Sequence, residues 1–272
     1  MIFDVSLPIV LFFIMVATFL LYGKFERKMR NFLGGRELRL REAVLMVASI
    51  GVMVTVMAFI PRLDLIKVFF LAVYCLVLFM FTYTVAPKWY LGILSSAVFL
   101  FLYFFSWNEL FLNLFAVIFV IYISSYLAAL FTWKTVTGFA ALLTMMDVIQ
   151  VFFTGYMVTS SNNLMTLGLP AMISVPIFPS GFPEARIILG LGDVFLAGLL
   201  VTQTRRKFGK KFGYVTAAVM AAVFFVFEIV LLNFVPGYFP ATVMVVSGWL
   251  VAVCAKYLYD HAKPNRNVPS IN

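Results

Sequence analysis

Long apolar runs broken by short polar stretches organise this chain from end to end. Nine runs reach or approach the roughly 17–25 residues a membrane-crossing helix needs: near 5–22, 43–60, 66–86, 90–105, 110–131, 134–159, 185–203, 214–234 and 239–258. Pro61 and Pro87 follow the second and third runs directly, where a missing N–H ends a helix. Trp89, Trp107 and Trp133 fall at run edges, the place of interfacial aromatic rings. The first run, Val5 to Tyr22, has no basic residue before it and no small-residue cleavage site after it, so it reads as a retained span. Most connections are a few residues long. The exception, 160–184, carries Pro170, Pro176, Pro179 and Pro183 among Ser, Asn and Gly, and is expected to be irregular, extracytoplasmic and flexible, either a connector lying on the interface or a gate between the sixth and seventh runs. No internal repeat and no soluble domain is visible.

Composition agrees with this pattern. The chain is 64% hydrophobic and 11% charged, against about 25% charged in soluble domains. Its net charge of +9 does not point to nucleic acid, because the basic residues sit in short loops beside apolar runs and suit anionic lipid instead. With nine spans and the N-terminus outside, seventeen Lys/Arg become cytoplasmic and only Arg62, Lys67 and Arg186 lie outside. That asymmetry supports both the count and the orientation, since one missed span would invert every later loop. The expected fold is therefore an all-α integral membrane protein of nine transmembrane helices, N-terminus outside and C-terminus cytoplasmic. Residues 1–131 form an N-terminal five-helix scaffold, 132–260 hold helices six to nine with the flexible 160–184 loop, and 261–272 form a cytoplasmic tail. Cys75 and Cys254 lie in separate apolar runs and read as small apolar residues.

Three acidic residues fall well inside runs: Asp147 in the sixth, Asp193 in the seventh and Glu228 in the eighth. An ionised Asp at mid-membrane costs about 2.5–3.5 kcal/mol, so each needs a polar partner or a proton. Consecutive helices tend to be antiparallel neighbours, which lets Asp147 and Asp193 reach a similar depth on facing sides. Two carboxylates close together in a low dielectric share one proton, and such a pair can activate water with one member while the other polarises a carbonyl. The same pair suits a proton or cation relay in a transporter, or a structural contact with nearby hydroxyls and Gln150. Glu228 reads as a structural hydrogen-bonding residue. His261, the single His, falls in the tail and is expected to be solvated, and with two remote Cys no zinc or two-metal site is expected. Gly190 and Gly192 remove two side chains just before Asp193, leaving room for another backbone to approach.

These residues resemble the intramembrane aspartyl proteases of the signal peptide peptidase and presenilin type. Gly190-Leu191-Gly192-Asp193 is similar to that family's Gly-x-Gly-Asp motif. Asp147-Val148 with Val151-Phe152, Thr154 and Met157-Val158-Thr159 resembles the surroundings of its first catalytic Asp, and Pro240-Ala241-Thr242 resembles its Pro-Ala-Leu motif. The likeness covers roughly 140–260. It departs at Met146, where the family has Tyr, and at Thr242, where it has Leu. The resemblance implies an aspartic endopeptidase that needs no cofactor and cuts within membrane segments, with Asp147 and Asp193 as its catalytic pair and Pro240 to Thr242 shaping the substrate site. It also implies single-span or remnant signal-peptide substrates with a cytoplasmic N-terminus. The chain's brevity points to a prokaryotic plasma membrane. A proton-coupled transporter using the same carboxylates is the alternative.

Overall fold

The structure is a computed structural model that describes residues 4–32, 34–59, 63–178, 186–234 and 238–262. Ten α-helices account for nearly all of it: α1 (Ser6–Phe32), α2 (Leu40–Phe59), α3 (Leu63–Val85), α4 (Trp89–Phe105), α5 (Glu109–Leu130), α6 (Trp133–Val148), α7 (Tyr156–Thr166), α8 (Leu191–Phe208), α9 (Lys210–Phe234) and α10 (Ala241–Ala262). Two short antiparallel strands, β1 (Met172–Pro176) and β2 (Arg186–Gly190), lie between α7 and α8. Seven of these elements are long and apolar enough to cross a membrane: α1, α2, α3, α5, α6 with its continuation to Thr154, α9 and α10. The chain is thus a multi-pass membrane protein. Pro61, Arg62, Pro179, Pro183 and residues 263–272 of the expected tail, which figured in the sequence reading, lie outside the described residues.

Local chemistry sets the helix ends. The Asp4 carboxylate accepts hydrogen bonds from the Ser6 and Leu7 amides at 3.1 and 2.9 Å and so caps α1. Helix α1 runs past the expected Tyr22 because Lys24 to Phe32 stay helical, and Gly34 and Gly35 then stop it at φ +60° and +69°. Asn108 caps α5 and Thr132 caps α6, each accepting from the amide three residues on. Helix α10 continues to Ala262, so His261 belongs to its exposed last turn and not to a separate tail.

Helix α8 is the axis of the bundle. From Asp193 to Thr204 only Phe195 escapes full burial, because α1, α5, α6, α9 and α10 all pack around it. A helix buried on every side needs no lipid-facing stripe, which explains why α8 can carry Asp193, Thr202, Gln203 and Thr204. Its closest contacts use small residues: a Cβ on Gly198 would lie 3.1 Å from both Ser124 Oγ and Thr18 Cγ2. The outer helices show the opposite pattern, with Val52 and Phe59 on α2 and Phe101, Phe104 and Phe105 on α4 all exposed, as a lipid-facing belt requires.

Two expectations change. The sixth run is not one helix over 134–159: α6 gives way to a π-helical turn over Ile149–Thr154, and Gly155 at φ +67° separates that turn from α7. The stretch 160–184 is not irregular where it is described, since it contains the end of α7 and all of β1. It is tethered by side chains of the first five helices. Tyr74, Tyr103 and Trp107 donate to the carbonyls of Pro170, Leu167 and Gly168 respectively, and the Asn113 side chain bonds both backbone groups of Ser174.

Candidate active site

Asp147 is the next-to-last residue of α6, two positions before the π-helical turn begins at Ile149. Such turns widen a helix by one residue and recur at functional sites. Here α2 holds the turn from one side. Gly51 lets the two helices approach, for a Cβ there would lie 2.9 Å from Met146 Sδ, and the Gly51 carbonyl accepts from Gln150 Nε2 at 3.1 Å. Gln150 is therefore a partner of α2 and not of the aspartates. Met146, where the family pattern has Tyr, fills the space against Gly51.

On its other side Asp147 meets the start of α10. Thr242 Oγ1 donates to Asp147 Oδ2 at 2.7 Å. The carboxylate thus faces the N-terminal end of α10, where negative charge is favoured. The hydroxyl that departs from the Pro-Ala-Leu pattern is thus a direct orienting contact for one of the two aspartates. Pro240, buried and lacking an N–H, ends the extended Tyr238–Phe239–Pro240 segment just before that helix. Phe239 anchors the segment against Phe152 and Phe227, with ring centroids 5.9 and 6.4 Å away.

Asp193 is placed differently. It lies in the first turn of α8 and not mid-helix, because the apolar run from 185 begins as strand β2 and becomes helical only at Leu191. Gly190 makes this junction possible: a Cβ there would lie 3.1 Å from Asp193 Oδ2, so the carboxyl occupies the space a side chain would take. Gly192 has open space around it, and the expected close approach applies to Gly190 alone.

Asp147 and Asp193 line one cavity of about 140 Å³, together with Val151, Met157, Val158, Ser161, Ile188, Leu189, Gly190 and the Tyr238–Ala241 segment. All three motifs that resemble the protease family thus meet at one place. Ser161, Ile188, Leu189, Tyr238 and Phe239 escaped the sequence reading. Ser161 and β2 lie within or beside a stretch read as loop, and the aromatic pair just precedes the Pro240–Thr242 motif, which drew attention to itself and not to its neighbours. Glu228 is elsewhere, on α9. It is only 4% exposed, yet neither carboxyl oxygen has a hydrogen-bond partner among the described residues, contrary to the structural bond expected of it.

The site offers two carboxyl groups, a hydroxyl donor to one of them, and an apolar cavity bounded by a strand. The strand matters because of its hydrogen-bond phase. In the β1–β2 pair Ile188 stands opposite Ser174 and Gly190 opposite Met172. The Leu191 amide donates to Ala171, and bonded pairs alternate along antiparallel strands. The N–H and C=O groups of Ile188 and the N–H of Gly190 therefore point away from β1, toward an edge that no described strand covers, while the Gly190 carbonyl, at the N-cap, opens α8. No protein-family model matches the chain, and no curated protein does.

Proposed function

We propose that this chain is an intramembrane aspartyl protease of the signal peptide peptidase and presenilin type, with Asp147 and Asp193 as its catalytic pair. The observation that carries the reading is their shared cavity, bounded by a strand with an open edge on one side and by Pro240 and Ala241 on the other. A transmembrane substrate is a helix, and its peptide bonds are shielded by the turns on either side. Cleavage needs that helix locally extended, and an extended segment finds backbone partners by adding to the free edge of β2. The apolar lining admits a hydrophobic segment, while a transporter needs no strand edge beside its carboxylates.

The chemistry uses water and one proton. The ionised carboxylate takes a proton from water as its oxygen bonds to the scissile carbonyl carbon, and the protonated carboxyl gives its proton to the carbonyl oxygen. The tetrahedral diol then collapses. The C–N bond breaks, the leaving nitrogen takes a proton from the carboxyl that gained one from water, and the carbonyl re-forms as the other hydroxyl proton returns to the second Asp. No cofactor enters. Thr242 keeps the Asp147 carboxyl aimed, and Gly190 leaves room for that of Asp193.

The proposal includes nine spans with the N-terminus outside. Helix α4 has 17 residues, about 25 Å of helix and a little short of a ~30 Å hydrocarbon core. Helix α8 is polar but enclosed. Counting both restores the orientation that puts seventeen Lys/Arg on the cytoplasmic side. A reporter fused after Asn272 is expected to read cytoplasmic, and an extracytoplasmic signal would remove the count. This orientation selects single-span substrates with a cytoplasmic N-terminus and suits a prokaryotic plasma membrane. The test of the activity is cleavage of such a peptide by purified protein in detergent. Wild type is expected to yield product and Asp147→Ala and Asp193→Ala none, whereas equal product from all three would mark a contaminating protease and sink the reading.

A further inference from the structure

The two edges of the β1–β2 hairpin are treated in opposite ways. Along β1 the outward-facing backbone groups recur at Met172, Ser174, Pro176 and, two residues further, at Phe178, given the hydrogen-bond phase set above. From Ser174 onward the row is blocked. Asn113, on α5, accepts from the Ser174 amide at 2.9 Å and donates to the Ser174 carbonyl at 2.7 Å, offering the donor and acceptor that one residue of a third strand would offer. Pro176 has no N–H to give. The Phe178 amide donates to Asp4 Oδ1 at 2.9 Å, and its carbonyl accepts from the Val5 amide at 2.9 Å. Along β2, by contrast, both outward groups of Ile188 and the Gly190 N–H are uncovered by any described strand, the Gly190 carbonyl opening α8 instead, and both residues line the cavity of Asp147 and Asp193.

An uncovered strand edge recruits any extended segment that reaches it. A hairpin with two open edges would take a substrate on either side, and a strand added to β1 would lie one strand further from the carboxylates. We propose that Asn113 is a positioning residue that makes the hairpin one-sided, so that an extended substrate adds only to β2. This rests on the protease reading above and goes beyond it by assigning a substrate-directing role to the N-terminal five helices. Glu109, one turn earlier on α5, reaches the other strand through an ion pair with Arg186. That pair is largely exposed, and exposed pairs contribute little, so it serves as the control.

The test is photocrosslinking of an N-in single-span peptide carrying benzoylphenylalanine near its cleavage site. The acceptors are full-length protein bearing Asp147→Asn, so that substrate is bound but not cut, and the same protein with Asn113→Leu, Asn113→Asp or Glu109→Gln added. With Asn113 intact, cross-links are expected in 186–190 and not in 172–176. Asn113→Leu is expected to raise the share of cross-link in 172–176 about thirtyfold, the scale of two lost hydrogen bonds. Asn113→Asp, which keeps only the acceptor, falls between, and Glu109→Gln changes nothing. Thermal unfolding of each variant separates redirected binding from loss of fold, and Asn113→Asp carries the test if Asn113→Leu does not fold. Cross-links confined to β2 in every folded variant would overturn the role of Asn113 while leaving the protease reading intact. Cleavage by the wild type with cross-links on both strands despite Asn113 would do the same. No cross-link at either strand would remove both.

Discussion

The two aspartates of the cavity sit in contrasting surroundings. Asp147 is held from outside its own helix: the Thr242 hydroxyl bonds its carboxyl at 2.7 Å, α2 braces the π-helical turn that follows, and the start of α10 faces it. Asp193 is held by its position in the chain. It stands where β2 turns into the most enclosed helix of the bundle, and its carboxyl fills the space left by Gly190. One group is aimed by a partner and the other by the backbone.

That contrast can be broken at either end. The largest effect is expected at Gly190. An alanine there places its Cβ 3.1 Å from Asp193 Oδ2, and pushing a reacting group out of line costs about 10²-fold in rate. Gly192→Ala meets nothing within 4 Å and is expected to leave the rate within about twofold while favouring the helix slightly. Cleavage rates of the two variants side by side check this, and equal losses would mean that Gly190 has no special role. A smaller effect is expected at Thr242. Thr242→Val keeps the shape and removes the hydroxyl, and losing one hydrogen bond to a charged group lowers the rate about tenfold, whereas Thr242→Ser retains the bond and most of the activity. A Thr242→Val enzyme as fast as wild type would show that Asp147 needs no aiming.

Much of this site was legible in the sequence, and the reasons are physical. A carboxylate inside an apolar run is costly enough to stand out wherever it occurs, so Asp147, Asp193 and Glu228 announced themselves. Helix positions were legible too, because length and apolarity are summed over twenty residues. What escaped depends on single contacts. The π-helical turn at Ile149–Thr154 differs from an α-helix by one residue per turn and leaves no periodicity of its own in six residues. Strand β2, Arg-Ile-Ile-Leu-Gly, has three consecutive apolar residues after Arg186 and reads as the start of the next helix until Gly190 ends it. Strand β1 was hidden by the prolines around it, since Pro176 closes a strand as readily as it marks a loop. Thr242 looked like a departure from a motif, and only the approach of α10 to α6 turned it into a hydrogen bond. Glu228 shows the reverse case, a buried carboxyl that stood out in the sequence and has no hydrogen-bond partner among the described residues.

The central claim is that Asp147 and Asp193 act as one unit, and a double-variant comparison of cleavage rates tests it most directly. Asp147→Asn, Asp193→Asn and the double variant would each be assayed on the same single-span peptide. A pair that shares one proton and one water loses its whole contribution when either member is removed, roughly 10²–10⁴-fold for acid–base catalysis. The account therefore predicts that the double variant is no slower than either single one. Losses that multiply, or a single variant that keeps substantial activity, would mean that the two carboxylates work independently and would contradict it.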